Sequence, residues 1–162
     1  MSSDYVEVPF TILVDTREQL PYRFQGYTAD ARDKHVPLVV RTEKATLQTG
    51  DYTIKGLEHK FTIERKSIDD AYSTFTHDHE RFKRELERMR SMDFAAVVIE
   101  SSEDGFYSYI ATQTGGSIKA TYRMMRYWPV DYGVHFLFSG CRDRAERDTL
   151  RMMQRFWKNE NR

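Results

Sequence analysis

The sequence predicts an α/β fold, a central mixed β-sheet flanked by helices. Three observations carry that prediction. Short β-branched apolar runs, "FTILVD" (10–15), "FAAVVIES" (94–101) and "GVHFLF" (133–138), have the length and composition of buried strands. Segments with helical spacing stand between and after them, over 78–91, 117–128 and 142–158. Between 37 and 66 strand-like segments follow one another through turn residues, which predicts an antiparallel meander and makes the sheet mixed.

Taken in order, the first strand ends on Asp15, and the polar "LPYRFQGYTADARDKH" (20–35) is a long surface loop. "VPLVVRTEKATL" (36–47) has strand character, and "QTGDYTI" passes through a Gly-Asp turn into another strand. "HKFTIERK" (59–66) alternates, so Phe61, Ile63 and Arg65 face one side of the sheet while Thr62, Glu64 and Lys66 face the other. Ser67 is a good N-cap, and Asp69 and Asp70 suit the first turn of a helix over 67–76. The helix over 78–91 places Phe82, Leu86 and Met89 on one face. The segment 117–128 is helical until Pro129, and the closing helix carries an apolar stripe of Leu150, Met153, Phe156 and Trp157.

A chain of 162 residues can bury one real core, so a single domain over 1–162 is the default. No apolar run approaches the ~20 residues of a membrane-spanning helix. The first residues have neither a basic leader nor an apolar core, so a cytoplasmic protein is expected. One cysteine, Cys141, excludes an internal disulfide and a clustered cysteine zinc site, and it reads as a small turn residue.

Lys plus Arg, 25, equals Asp plus Glu, 25, so no global basic field announces a nucleic-acid partner. Local asymmetry carries that possibility instead. "RFKRELERMR" (81–90) and the stretch from Arg142 to Arg162 are basic. The plainer reading of the first is a solvated helix face with i,i+4 pairs such as Arg81 with Glu85.

The chemistry lies in the middle of the chain. Asp51 follows Gly50 at the head of one strand, Glu64-x-Lys66 ends the next, and twelve residues separate the two acids. If the strands pair as a hairpin through "KGLEHK", two carboxylates and one lysine converge at the same end. Carboxylate oxygens suit Mg²⁺ or Mn²⁺, which neutralises charge on a scissile phosphate and acidifies a bound water, while the lysine orients or deprotonates that water. Taken alone the pattern is loose, and exposed charges on a hairpin explain it as well.

The surrounding residues add to it. "VDTREQ" (14–19), "TGDY" (49–52) and "IERKSIDD" (63–70), in that order, closely resemble the signature of the XPF-type (ERCC4 domain) structure-specific endonucleases. That family is a branch of the restriction-endonuclease-like PD-(D/E)xK fold. The resemblance implies Asp51 and Glu64 as metal ligands, the Arg65 carbonyl as a further ligand, and Lys66 as the catalytic lysine. It places Asp15 and Asp70 on the remaining acidic positions, supporting the metal or its water, with Asp15 an additional candidate ligand. Arg17, Glu18 and Arg65 fall on positions that hold the site together and contact phosphate.

"DHERFKRELERM" looks like the helix that follows the site in bacterial and phage members, with Arg81 the leading candidate for a phosphate contact and Lys83 and Arg84 beside it. The likeness covers roughly residues 10 to 158. The family's tandem helix-hairpin-helix and helicase domains have no room here, which leaves the preferred DNA structure open and makes a partner protein that supplies specificity an expectation.

Two functional classes follow. One is a Mg²⁺- or Mn²⁺-dependent DNA endonuclease acting on branched, flapped or nicked DNA during replication, repair or recombination. The other is a non-catalytic DNA- or partner-binding module on the same fold. The presence of Asp15, Asp51, Glu64, Lys66 and Asp70 favours the enzyme. Members of the family dimerise through the nuclease domain, so the stripe on the closing helix has two readings, a homodimer contact or packing onto the sheet. His77 and His79 flank Asp78 in a helix connection and read as connection residues rather than ligands; His35, His59 and His135 read as surface or strand residues. Tyr122, Tyr127, Trp128, Phe136 and Phe138 read as core or interface before base stacking.

Overall fold

A computed structural model describes residues 4–29 and 36–162. His35 and part of the expected loop over 20–35 lie outside the described residues. Strand β1 (Val6–Asp15) begins the sheet, with β2 (Leu38–Ala45), β3 (Tyr52–Ile54) and β4 (Phe61–Lys66) following in sequence. Helices α1 (Ile68–Thr76) and α2 (His79–Met89) precede β5 (Phe94–Ile99). Then come α3 (Glu103–Thr112), α4 (Ile118–Tyr132), β6 (His135–Phe138) and α5 (Arg142–Glu160).

The sheet is mixed and six-stranded, in the order β2-β1-β3-β4-β5-β6. Its antiparallel part differs from the expected meander over 37–66. β2 runs parallel to β1 along the outer edge, from Val6 opposite Leu38 to Asp15 opposite Ala45, and the antiparallel run is β1, β3 and β4. The long connection after β1 permits the parallel pairing, which no short turn could. The 46–50 segment then crosses the end of β1, where the Leu47 N–H donates to Asp15, and feeds β3 back beside β1 with Val14 opposite Tyr52. β2 keeps charged side chains on an exposed edge, a defence against unwanted strand pairing.

The two faces of the sheet bury separate cores. On one, Phe10, Ile12, Phe61, Ile63 and Val98 pack with Tyr22 and Phe24 from the first loop and with Leu150 and Met153 of α5. On the other, Val97 and Ile99 meet Phe75 of α1, Phe82 and Leu86 of α2, Phe106 of α3 and Trp128 of α4. The stripe on α5 therefore packs within its own chain: Phe156 lies 5.0 Å from Phe61, and Trp157 lies 6.1 Å from Phe10, ring to ring. Of the two readings of the stripe, packing onto the sheet is the one seen within the chain. Tyr122 and Tyr127, read as core or interface, are exposed at 49% and 60%, whereas Trp128 beside them is buried.

Three helical details depart from expectation. α4 does not stop at Pro129; it runs to Tyr132 and ends at Gly133, whose φ of 67° suits a left-handed cap and whose N–H donates to the Pro129 carbonyl. So near the end, the proline forfeits one backbone bond and the packed turns around Met125 and Trp128 carry the helix past it. α3 has no counterpart in the sequence reading. On α2 the ion pairs form at i,i+3, Lys83 with Glu80 and Arg90 with Glu87, and none joins Arg81 to Glu85.

Candidate active site

β3 and β4 pair antiparallel with Tyr52 opposite Ile63, so Asp51 and Glu64 come together at one end of the hairpin. Asp51 is held by its backbone from both sides: its N–H donates to the Ile63 carbonyl at 2.8 Å, and its carbonyl accepts from the Asp15 N–H at 2.8 Å. Gly50 makes this approach possible. Its φ is 75°, and a Cβ there would lie 2.0 Å from the Thr62 hydroxyl oxygen.

The predicted alternation holds along β4. Glu64 and Lys66 point toward the α1–α2 face, with Lys66 Nζ 3.1 Å from Glu64 Oε1 and 4.7 Å from the centre of the Phe82 ring. Glu64 is 7% exposed. Burial raises the Asp51 carboxyl to about 7, against the Arg65 N–H that donates to its Oδ2 at 2.7 Å. Burial, then the neighbouring Asp51, raises Glu64 well above the ordinary carboxylate range. Burial works against the Lys66 ammonium, yet the fields of Glu64 and Glu85 outweigh it and the net direction is up. The pair is thus short of positive charge, with one lysine facing the buried Glu64 and the half-buried Asp51, and Glu85 adding to their field.

Arg65 points the other way, as its alternation requires. Its guanidinium donates to Glu100 through Nε at 2.5 Å and Nη2 at 3.2 Å, and to Glu18 through Nη1 at 3.3 Å. Glu100 also accepts from the Tyr22 hydroxyl at 3.1 Å and from Arg142 at 3.3 Å. Arg142 in turn donates to the carbonyls of Leu20 and Pro21, and both guanidiniums lie over the Tyr22 ring. This brace fixes the strand whose N–H holds Asp51. Sequence reading missed Glu100, although an acid directly after the buried run of β5, a strand parallel to β4, was a visible signal.

Asp15 is 2% exposed and fully engaged. Its Oδ1 accepts from the Arg17 N–H and Nε, each at 2.8 Å, and its Oδ2 from Arg17 Nη2 and the Leu47 N–H, each at 2.9 Å. The Arg17 contact holds its carboxyl below the ordinary range. Asp15 thus ties Arg17 and the 46–50 segment to the end of β1, while the Arg17 side chain stays 68% exposed. Asp70 lies in the first turn of α1, capped by Ser67: its N–H donates to Ser67 Oγ at 3.1 Å and its carboxylate accepts from the Ser67 hydroxyl at 2.8 Å. It also lines a cleft of about 200 Å³ with Lys66, Ser73, Arg81, Phe82 and Glu85. Lys83 turns out of that cleft and pairs with Glu80, and Arg84 is exposed.

Among the described residues no group of three or more His, Cys, Asp or Glu side chains could hold a metal. Neither Asp15, Asp51 and Glu64 nor His77, Asp78 and His79 form such a group. Two carboxylates are nevertheless what a Mg²⁺-type ion asks of a protein when waters and substrate phosphate complete its shell. The under-compensated charge of Asp51 and Glu64 fits such a cation.

A strand-hairpin-helix that converges acid, acid and lysine at the end of a mixed sheet defines the nuclease domain of the restriction-endonuclease-like fold. The ERCC4 domain model matches residues 14–153, and the chain belongs to that family. Among solved structures it is similar to XPF from Aeropyrum pernix, at 15% identity and a TM-score of 0.62 over 88% of this chain and 64% of that one. The same archaeal protein in complex with DNA gives 15% identity and a TM-score of 0.59 over 93% of this chain and 66% of that one. The chain thus spans just under two thirds of the length of these structures. No curated protein matches it. No described helix is long and apolar enough to cross a membrane.

Proposed function

We propose that this protein is a Mg²⁺- or Mn²⁺-dependent endodeoxyribonuclease that hydrolyses phosphodiester bonds in branched, flapped or nicked DNA. The observation that carries the reading is the buried Glu64, 3.1 Å from Lys66 Nζ, beside the half-buried Asp51 at the open end of the β3–β4 hairpin. Asp51 and Glu64, with the Arg65 carbonyl, would hold the ion. When bound, the ion would neutralise charge on the scissile phosphate and acidify the attacking water.

Lys66 orients that water and, as an ammonium, stabilises charge developing on the phosphate. Phe82 beneath its ammonium fixes its direction. Arg81, on the rim of the cleft, and the exposed face of Arg17 draw the DNA backbone in. Asp15 positions Arg17, and Glu18 and Glu100 position Arg65. Asp70 sets the first turn of α1 beside the cleft. Roles in repair or recombination, and a partner that adds substrate specificity, follow from the same reading.

The test is a panel of labelled flap, fork, splayed-arm, Holliday-junction and plain duplex substrates with Mg²⁺ or Mn²⁺. Glu64→Ala and Lys66→Ala are expected to lower cleavage at least a hundredfold while leaving DNA affinity within about threefold. Undiminished cutting by both variants would remove the site assignment.

A further inference from the structure

The two sides of α2 serve different surfaces. Arg81, Phe82 and Glu85 line the catalytic cleft, whereas His79 and Lys83 face a separate groove of about 570 Å³ whose far wall is α4. Along that wall Arg123, Tyr127 and Asp131 succeed one another at one-turn spacing. The Trp128 ring, stacked on Phe75 at 5.2 Å, makes the floor rigid.

Tyr127 is 60% exposed beside these cations. Among the described residues no hydrogen bond or ion pair holds Arg123. Of the acids nearby, Asp131 stands on the wall and Glu80 pairs with both Lys83 at 2.8 Å and His79 at 3.5 Å, which leaves Arg123 as the unengaged cation of the groove among the described residues. An open aromatic ring flanked by cations is the arrangement that takes unpaired nucleotides: phosphates meet the cations and a base stacks on the ring. A duplex shows no base face to such a ring.

We infer that the groove between α2 and α4 holds a single-stranded arm of the DNA substrate, with phosphates on Arg123 and Lys83 and a base on Tyr127. The inference rests on the endonuclease reading above and adds a place to it: a strand leaving the cleft over the ridge of α2 enters this groove.

Both new positions are exposed and outside the catalytic constellation, so Tyr127→Ala and Arg123→Ala keep the fold, which circular dichroism checks. Fluorescence anisotropy with a fluorescein-labelled oligo-dT and a labelled duplex, in chelator, judges the groove whether or not the protein cuts. Tyr127→Ala is expected to weaken oligo-dT binding about tenfold and duplex binding less than twofold. Arg123→Ala is expected to lower the salt dependence of oligo-dT binding by about 0.7 in log–log slope. In Mg²⁺, both variants should cut a flap about tenfold more slowly than wild type and a nicked duplex at the wild-type rate. Wild-type oligo-dT affinity in both variants, or an equal loss on duplex, would overturn the proposal. So would a change in sedimentation of the DNA-free protein, since the groove would then be a contact between copies. A wild-type protein that binds oligo-dT through these residues and cuts nothing would count against the endonuclease reading and for the groove.

Discussion

At the scale of single residues, the site gathers negative charge in a largely buried setting. In the folded, metal-free protein the Asp51 carboxyl titrates at about 7 rather than its ordinary 3.8. The native state therefore binds the extra proton. Below pH 3.8 Asp51 is neutral in both states and costs nothing; as pH rises toward 7 the unfolded chain ionises first, and stability is lost. Above that the full penalty stands, on the order of 4 kcal/mol at about 1.4 kcal/mol per pH unit. In chelator, Asp51→Asn is expected to be more stable than wild type at pH 8, with the gain shrinking toward pH 4. Chemical denaturation across that range checks it, and an unchanged difference would count against the charge argument. The acids and the lysine were legible in the sequence because strand alternation is a strict rule. Asp15 was legible as a site residue, but not as one whose four acceptor positions are all filled by Arg17 and Leu47. Glu100 was missed because its partners, Tyr22, Arg65 and Arg142, are brought together only by the sheet.

At the scale of elements, the hairpin does the placing and Gly50 sets its tolerance. A methyl group there meets the Thr62 hydroxyl oxygen at 2.0 Å and a backbone angle that side chains avoid. Gly50→Ala is expected to cost about 2 kcal/mol or more and to slow cleavage at least tenfold by moving Asp51. Denaturant midpoints and single-turnover rates would show it; a variant with wild-type values for both would mean that β3 shifts freely. Strongly periodic or capped elements, such as α1 behind Ser67 and α2 through Phe82, Leu86 and Met89, were readable. α3 was not, because Gly105 and three aromatics argue against a helix locally. Ser102, which accepts from the Gly105 N–H, and the burial of Phe106 and Ile110 decide it instead. The place of β2 depended on a long connection, which local pattern does not encode.

At the scale of the whole molecule, the chain is neutral overall yet divides its charge by surface. Acids gather in the cleft, and cations line its rim and the α4 groove. A divalent ion that binds the folded state alone stabilises it by about 2.7 kcal/mol at a hundred times its dissociation constant. For a chain of this size that is a rise of roughly 5 °C or more in melting temperature. Mg²⁺ or Mn²⁺ is expected to produce such a rise at pH 8 in wild type and none in Glu64→Ala. Equal shifts in both would place the ion elsewhere.

The hairpin has one more consequence, in the order of folding. Asp51 and Glu64 are joined by a short connection, so bringing them together costs little loop entropy and can happen early. The partners that hold them lie far along the chain: Glu100 braces Arg65 across 35 residues, and Phe24 is tied to Glu146 across 122. The reactive geometry is thus local in the chain while its support is not, and α5, which carries Arg142, completes the brace behind it.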